Sequence, residues 1–324
     1  MTNAIEIKEL RKSFGDKEVL KGIDITVPRG QIVALLGPNG AGKTTTINIL
    51  STLLQPDGGE VSVNGHNVVT EANKVRASIG LTGQFAAVDE YLTAAENLNL
   101  IGGLYHLKKP VAQKITTRLI EQFDLVESAD KPVKSYSGGM KRRIDLAMSL
   151  IASPPIIFLD EPTTGLDPRS RLAMWNLIKG LAEGGTTILL TTQYMDEADF
   201  LADHIIVIDH GVVIAQGTAD ELKGQVGDDR LDIVLADNED FEKALGVLGS
   251  ENITSNSEDR TMSVAAKEGV KKLQSVLTAL ESASIKVETV TLRRPTLDDV
   301  FLTLTGHEAT EDEEEPTKKS KGKK

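Results

Sequence analysis

Residues 37–44 read GPNGAGKT, a full match to G-x-x-x-x-G-K-[ST], and the flanking chain decides what that match means. Ahead of it runs QIVALLG (31–37), a near-continuous apolar stretch of the kind a strand covered on both faces carries. Behind it, residues 44–54 have helical spacing until Pro56 and the Gly58, Gly59 pair stop the pattern. A glycine-rich turn between a buried strand and a helix start lets successive backbone N–H groups curl around phosphate oxygens. The predicted phosphate cradle is Gly37, Pro38, Asn39, Gly40, Ala41, Gly42, Lys43, Thr44 and Thr45. In such a loop the lysine, here Lys43, reaches the outer phosphates, and the hydroxyl of Thr44 coordinates Mg²⁺.

Working outward, a loop of this type needs an acid nearby to hold the metal. IIFLDEP (156–162) supplies one, because its apolar strand ends in Asp160, placed to bind Mg²⁺ directly or through water. Glu161 follows and is expected to point elsewhere, since side chains alternate along a strand. It is the candidate base that orients or deprotonates an attacking water.

The rest of the first 220 residues interleaves strands and helices. IEIKEL and GIDITV alternate with period two, EVSVNG and SIGLTGQ are short strands, and helical patterns cover about 93–107 and 111–123. TTILLTT and HIIVIDHGVVIAQG complete an α/β domain with a largely parallel sheet. Beyond the polar, glycine-rich GTADELKGQVGDD the order becomes strand, helix, weak strand near 251–255, strand, helix, strand, helix, which suits a small ferredoxin-like α+β module. The end, EATEDEEEPTKKSKGKK, is an acidic block followed by a basic one and reads as disordered.

With 324 residues the chain can hold two domains, each with its own core. A formal charge of -12 argues against a generic nucleic-acid binder. The absence of cysteine removes disulfides, thiolate metal sites and thiol nucleophiles. No run approaches the roughly 18 apolar residues of a membrane span, and MTNAIEIKELRKSFG lacks the apolar core of a signal peptide. The expectation is a cytoplasmic chain that serves any membrane process by docking.

One stretch remains unexplained by a single phosphate loop. YSGGMKRR (136–143) opens a helix with a serine and two glycines, which is a second phosphate site by the same physics. Taken in order, GPNGAGKT, SGGMKRR, IIFLDEP and TTGLDP resemble the ATP-binding subunit of an ATP-binding cassette (ABC) transporter over about residues 3–220. The resemblance implies an α/β P-loop fold of the ABC ATPase type, a mixed sheet with antiparallel strands, and a helical subdomain at about 85–150 within a domain spanning 1–222. A small accessory domain at 228–306 and a charged tail at 307–324 follow.

It also implies a head-to-tail dimer in which each ATP lies between one chain's phosphate loop and the other's signature helix. Ser137, Gly138 and Gly139 then grip the γ-phosphate held by the opposite chain, and Asp167 crosses the interface. Arg142 and Arg143 are read as facing solvent or acidic neighbours. The resemblance further assigns Phe14 to the adenine ring, and Gln84 to Mg²⁺ and the lytic water. Gln193 in TTQYMDEAD stands where the family normally has a histidine. That departure, with LTGQFAAVDEYLTAAENL and LRRPTLDDVFLTLTG, is similar to the daunorubicin-resistance type of drug-export ATPase through residue 306. Such a subunit works at the cytoplasmic face of the membrane with a separate ABC-2 type permease, exporting a drug, antibiotic or lipid-like molecule. The rival, a soluble cassette ATPase acting on the ribosome, usually carries two cassettes in one chain, and this chain has one.

Overall fold

The structure is a computed structural model that describes residues 3–84, 86–227, 229–248, 253–257, 259–267 and 269–305. The charged tail read at 307–324 lies outside the described residues, as do residues 251 and 252 of the weak strand. The chain divides after Gln216 into two compact units.

The first unit is built on a six-stranded sheet. Its centre is β3 (Ile32–Leu36), flanked by β8 (Thr187–Thr192) and β9 (His204–Asp209). Outside β8 lie β7 (Ile156–Asp160) and then β6 (Ile79–Thr82), and outside β9 lies β10 (Val212–Gly217). The pairings β9–β3, β3–β8, β8–β7 and β7–β6 are all parallel. Every residue of β3, β7 and β8 is buried, so these strands carry no polar alternation.

A second, antiparallel sheet has the order β2 (Lys17–Pro28), β1 (Asn3–Phe14), β4 (Gly58–Val63), β5 (His66–Asn67). Its strands do alternate, and they bury Ile5, Ile7, Ile23, Ile25 and Val61 on one face. That face joins α1 (Lys43–Leu50), through Ile47 and Leu50, and Val33 and Leu35 of β3 in one core. The helix stops earlier than the sequence spacing predicts. Thr52 takes a left-handed conformation, and the N–H groups of Leu53 and Leu54 both turn back to the carbonyl of Asn48.

Between the neighbouring strands β6 and β7 the chain inserts a helical segment. It holds α3 (Ala94–Leu104), α4 (Lys109–Gln122) and α5 (Gly138–Ser149), with α2 (Ala72–Ala77) ahead of β6. A reciprocal Thr93–Glu96 capping box starts α3, and the Ser137 hydroxyl accepts from the Met140 N–H to start α5. Helices α6 (Pro168–Glu183) and α7 (Met195–Leu201) make the crossovers from β7 to β8 and from β8 to β9.

The second unit opens with α8 (Ala219–Val226), capped by Thr218 and Glu221. Its sheet has the order β12 (Ile253–Asn256), β13 (Thr261–Ala265), β11 (Arg230–Leu235), β14 (Val287–Arg293), with every pairing antiparallel. Helices α9 (Asn238–Leu248) and α10 (Val270–Ser282) complete the strand-helix-strand-strand-helix-strand order of a ferredoxin-like module, and α11 (Leu297–Thr305) follows. Its core gathers Leu231, Ile233, Phe241, Met262, Val276 and Leu280. Among the described residues, no helix is long and apolar enough to cross a membrane.

Candidate active site at the phosphate loop

The loop leaves β3 at Leu36 and enters α1 at Lys43, so the helix N–H groups open toward whatever the loop encloses. Gly42 cannot be replaced without strain. Its φ is 109°, and a Cβ there would sit 2.6 Å from Leu20 Cδ2.

Lys43 is 4% exposed. Its ammonium donates to the carbonyl oxygens of Gly37 (2.7 Å) and Pro38 (3.1 Å) and lies 3.5 Å from Glu161 Oε1. Burial lowers its pKa, and the adjacent charges of Glu161 and Asp160 work in the opposite direction.

The two acids are held by one threonine. The Thr191 hydroxyl donates to Asp160 Oδ1 (2.5 Å) and accepts from the Glu161 N–H (3.1 Å). Thr44 donates to the same Asp160 oxygen (3.2 Å), which brings the loop hydroxyl and the strand-end carboxylate together as expected of a metal-binding pair. Alternation along a strand does not decide where Glu161 points, because β7 ends at Asp160 and Glu161 takes a φ of 49°. This left-handed turn brings its carboxylate back to Lys43, beside Asp160's site rather than away from it.

A cleft of about 310 Å³ lies over the loop, lined by Lys17, Val19, Asn39, Gly40, Gly42, Lys43, Thr44, Thr45, Gln84 and Glu161. Gln84 thus meets the loop and the acid in one place. Lys17 and Val19 carry no sequence signal for this role, since the β1–β2 hairpin reaches the loop only through the fold. Phe14 is the cross-strand partner of Lys17 and half exposed, with the Lys12 ammonium 5.6 Å from its ring centre. Gln193 follows the last residue of β8 and is half-buried.

Ser137, Gly138, Gly139 and Asp167 do not line the cleft. Ser137 and Gly138 are exposed at the start of α5, whereas Gly139 packs so closely that a Cβ would fall 2.6 Å from Ser170 Oγ. Ser170 donates in turn to Asp167 (2.6 Å), whose carboxylate also accepts from the N–H groups of Arg169 and Ser170 and caps α6. These hydrogen bonds, led by the Ser170 hydroxyl, lower the Asp167 pKa. Ser170, which joins the two helix starts, was not singled out by the sequence motifs.

The basic residues behind the signature behave differently from one another. Arg143 meets the Asp124 carboxylate (3.2 Å), an acidic neighbour as the sequence reading expects. Arg142 also meets an acid, Asp145 (3.7 Å), but it is 7% exposed and its guanidinium bonds backbone carbonyls, which the sequence reading does not include. The pull is the cluster of inward-facing carbonyls at the ends of β6 and β7, which need donors once buried.

A glycine loop around a buried lysine, a threonine hydroxyl and an acid pair define a nucleotide-binding P-loop site, and comparison with known proteins agrees. The family described as "ABC transporter" matches residues 20–164, and the "ATP-binding protein DrrA1-3-like, C-terminal domain" matches residues 217–305. The chain is 51% identical over 303 residues to the daunorubicin resistance ATP-binding protein DrrA3 of Streptomyces coeruleorubidus, covering 94% of this chain and 96% of that one. It is 45% identical over 311 residues to the doxorubicin resistance ATP-binding protein DrrA of Mycobacterium tuberculosis, covering 93% of each. A dimeric ATP-binding cassette solved in a post-hydrolysis state with ADP and Pi superposes with a TM-score of 0.60 at 28% identity, covering 66% of this chain and 98% of that one. The chain belongs to the ATP-binding subunits of ABC transporters, in their daunorubicin-resistance branch, and is an ATPase.

Proposed function

We propose that this ATPase powers export of a drug, antibiotic or lipid-like molecule through a separate ABC-2 type permease, as a head-to-tail dimer on the cytoplasmic face of the membrane. The observation that carries the reading is one cleft in which Lys43, Thr44, Gln84 and Glu161 meet, while Ser137 and Gly138 stand exposed at another helix start. A chain built this way holds two half-sites that two copies complete. The resistance named in the relatives supports drug export, and the solved dimer supports the pairing. Tyr91, Leu100 and Leu104 expose apolar side chains in the segment after Gln84, where a permease would dock.

The residues present fit Mg²⁺. The Thr44 hydroxyl and the Asp160 carboxylate are hard oxygen donors in contact with each other, and Mg²⁺ takes few protein ligands. When bound, it neutralises charge developing on the transferred phosphoryl group. The loop N–H groups and Lys43 bind the phosphates, Phe14 stacks on the base, and Glu161 takes the proton of the attacking water, which Gln84 orients. Ser137 to Gly139 and Asp167 act on the site of the opposite chain.

Glu161→Gln keeps the shape of the base and loses its proton affinity, so it is expected to bind ATP and stall as a closed dimer. Lys43→Ala is expected to lose ATP binding. Pulled from native membranes with ATP and Mg²⁺ and run on size exclusion, tagged Glu161→Gln should elute as two copies with a membrane protein. A strictly monomeric profile at saturating ATP would overturn the dimer, and a dimer free of any membrane protein would overturn the permease.

A further inference from the structure

Arg142 spends its whole hydrogen-bonding capacity on two segments that flank the cleft. A guanidinium has five N–H donors in a fixed plane. Here Nε donates to Pro162 O (2.9 Å), Nη1 to Gly83 O (2.7 Å) and Gln84 O (3.1 Å), and Nη2 to Asp160 O (3.1 Å) and Glu161 O (2.9 Å). Each donor has a partner, and each partner belongs to the Gln84 loop or to the turn that carries the acid pair.

One helical turn on, Asp145 faces Arg142 across 3.7 Å and accepts from the Ala87 N–H (2.9 Å), so it fastens the same loop again. Both side chains are buried. They lie on α5 directly after Ser137, Gly138 and Gly139.

We propose that Arg142, supported by Asp145, is a positioning residue for ATP hydrolysis: it fixes the Gln84 loop and the Glu161 turn to each other and to the signature helix of the same chain. This rests on the reading above that Gln84 and Glu161 act on the bound nucleotide. The left-handed conformation of Glu161 persists only where its surroundings hold it, and the Arg142 bonds to the Asp160, Glu161 and Pro162 carbonyls add to the Thr191 contacts on its N–H. Lysine cannot replace the anchor in full, as its three donors on a single nitrogen match neither the number nor the plane of the five carbonyls. The helix start that serves the opposite site and the acid that serves the chain's own site are thereby built on one rigid unit.

The test uses the full-length chain as Arg142→Lys and Arg142→Gln, with Asp145→Asn as a variant that keeps shape and removes the counter-charge. Because the outcome is misplacement of reacting groups, kcat should fall on the order of 10- to 100-fold in Arg142→Gln. Affinity for a non-hydrolysable ATP analogue should change by less than about threefold, since the loop and Lys43 are untouched. Arg142→Lys should fall less than Arg142→Gln. Hydrogen exchange should rise in residues 83–90 and 160–166 and stay at the wild-type level in β1 and β3.

An even rise in exchange across the unit, or wild-type kcat in both Arg142 variants, overturns the assignment. If Arg142→Gln does not fold, Arg142→Lys and Asp145→Asn carry the same exchange readout. Glu161→Gln separates the two readings. Wild-type turnover in that variant removes the catalytic reading of the site, while the exchange pattern still decides whether Arg142 ties the two segments.

Discussion

Gln193 occupies the position where the family resemblance expects a histidine, and the chemistry of the two side chains differs in one respect. A carboxamide has an N–H₂ that can donate to a phosphate oxygen, but it cannot become a cation near neutral pH. The contact would survive and lose its charge assistance, which roughly doubles the strength of such bonds. Gln193→His is therefore expected to preserve or raise turnover. Gln193→Ala should lower kcat on the order of 10-fold or more by removing the donor, with ATP affinity little changed. Steady-state ATPase assays of the two variants check this, and wild-type turnover in Gln193→Ala would show that Gln193 does not touch the γ-phosphate. Thr191 makes a different point at the same scale. It is a buried strand residue, yet its single hydroxyl fixes both Asp160 and the Glu161 backbone.

At the scale of elements, α7 is anchored by a fully buried acid. Glu197 accepts from the Thr163 hydroxyl (2.6 Å), just past the Glu161 turn, and from Trp175 Nε1 (3.0 Å) on α6. Burial raises its pKa above the ordinary 4.5, against the opposing hydrogen bonds from Thr163, Thr192 and Trp175. For a raised carboxyl pKa the native state holds the proton more tightly than the unfolded chain. The stabilisation is complete below pH 4.5 and is lost as pH rises through the folded value. Glu197→Gln cannot titrate, and any hydrogen bond its amide gains or loses is the same at every pH. The stability difference, variant minus wild type, should therefore grow from pH 4.5 upward and level off once the wild-type carboxyl has ionised. Urea midpoints at a series of pH values measure it, and a flat difference would mean that Glu197 is not held protonated by the fold. The elements themselves were largely legible in the sequence. QIVALLG and IIFLD are near-continuous apolar runs because β3 and β7 are covered on both faces, β8 is buried throughout although TTILLTT has only three apolar residues, and the loop motif is contiguous. What the sequence hid was tertiary. Lys17 reaches the cleft through a hairpin, and the reading of Arg142 as facing solvent or acidic neighbours leaves out the buried carbonyls it bonds. The available signal was Asp145 three residues on, an opposite charge on the same helix face as Arg142, next to the apolar Ile144, Leu146, Ala147 and Met148.

At the scale of the whole molecule, the separation of the cleft from the exposed helix start makes a prediction about two copies. Lys43→Ala damages the phosphate loop. Gly139→Asp damages the other half, because a side chain there collides with Ser170 and displaces the partner of Asp167. Each change alone, present in both chains, ruins both sites whether the halves meet within a chain or between chains. Mixed dimers separate the cases. Pair a Lys43→Ala chain with a Gly139→Asp chain. If each site joins one chain's loop to the other chain's signature, one site receives both changes and the other receives neither. Pair instead a chain carrying both changes with a wild-type chain, and each trans site receives one change, so neither is whole. Sites built within one chain give the opposite order, since the wild-type partner then keeps an intact site and the split pair has none. Dimers isolated through two different tags, assayed for phosphate released in a single turnover, report the rank directly and do not require the two sites to cooperate. The head-to-tail arrangement is expected to give release from the split pair and little from the pair with the doubly changed chain. The reverse order would place Ser137 to Gly139 on the chain's own nucleotide.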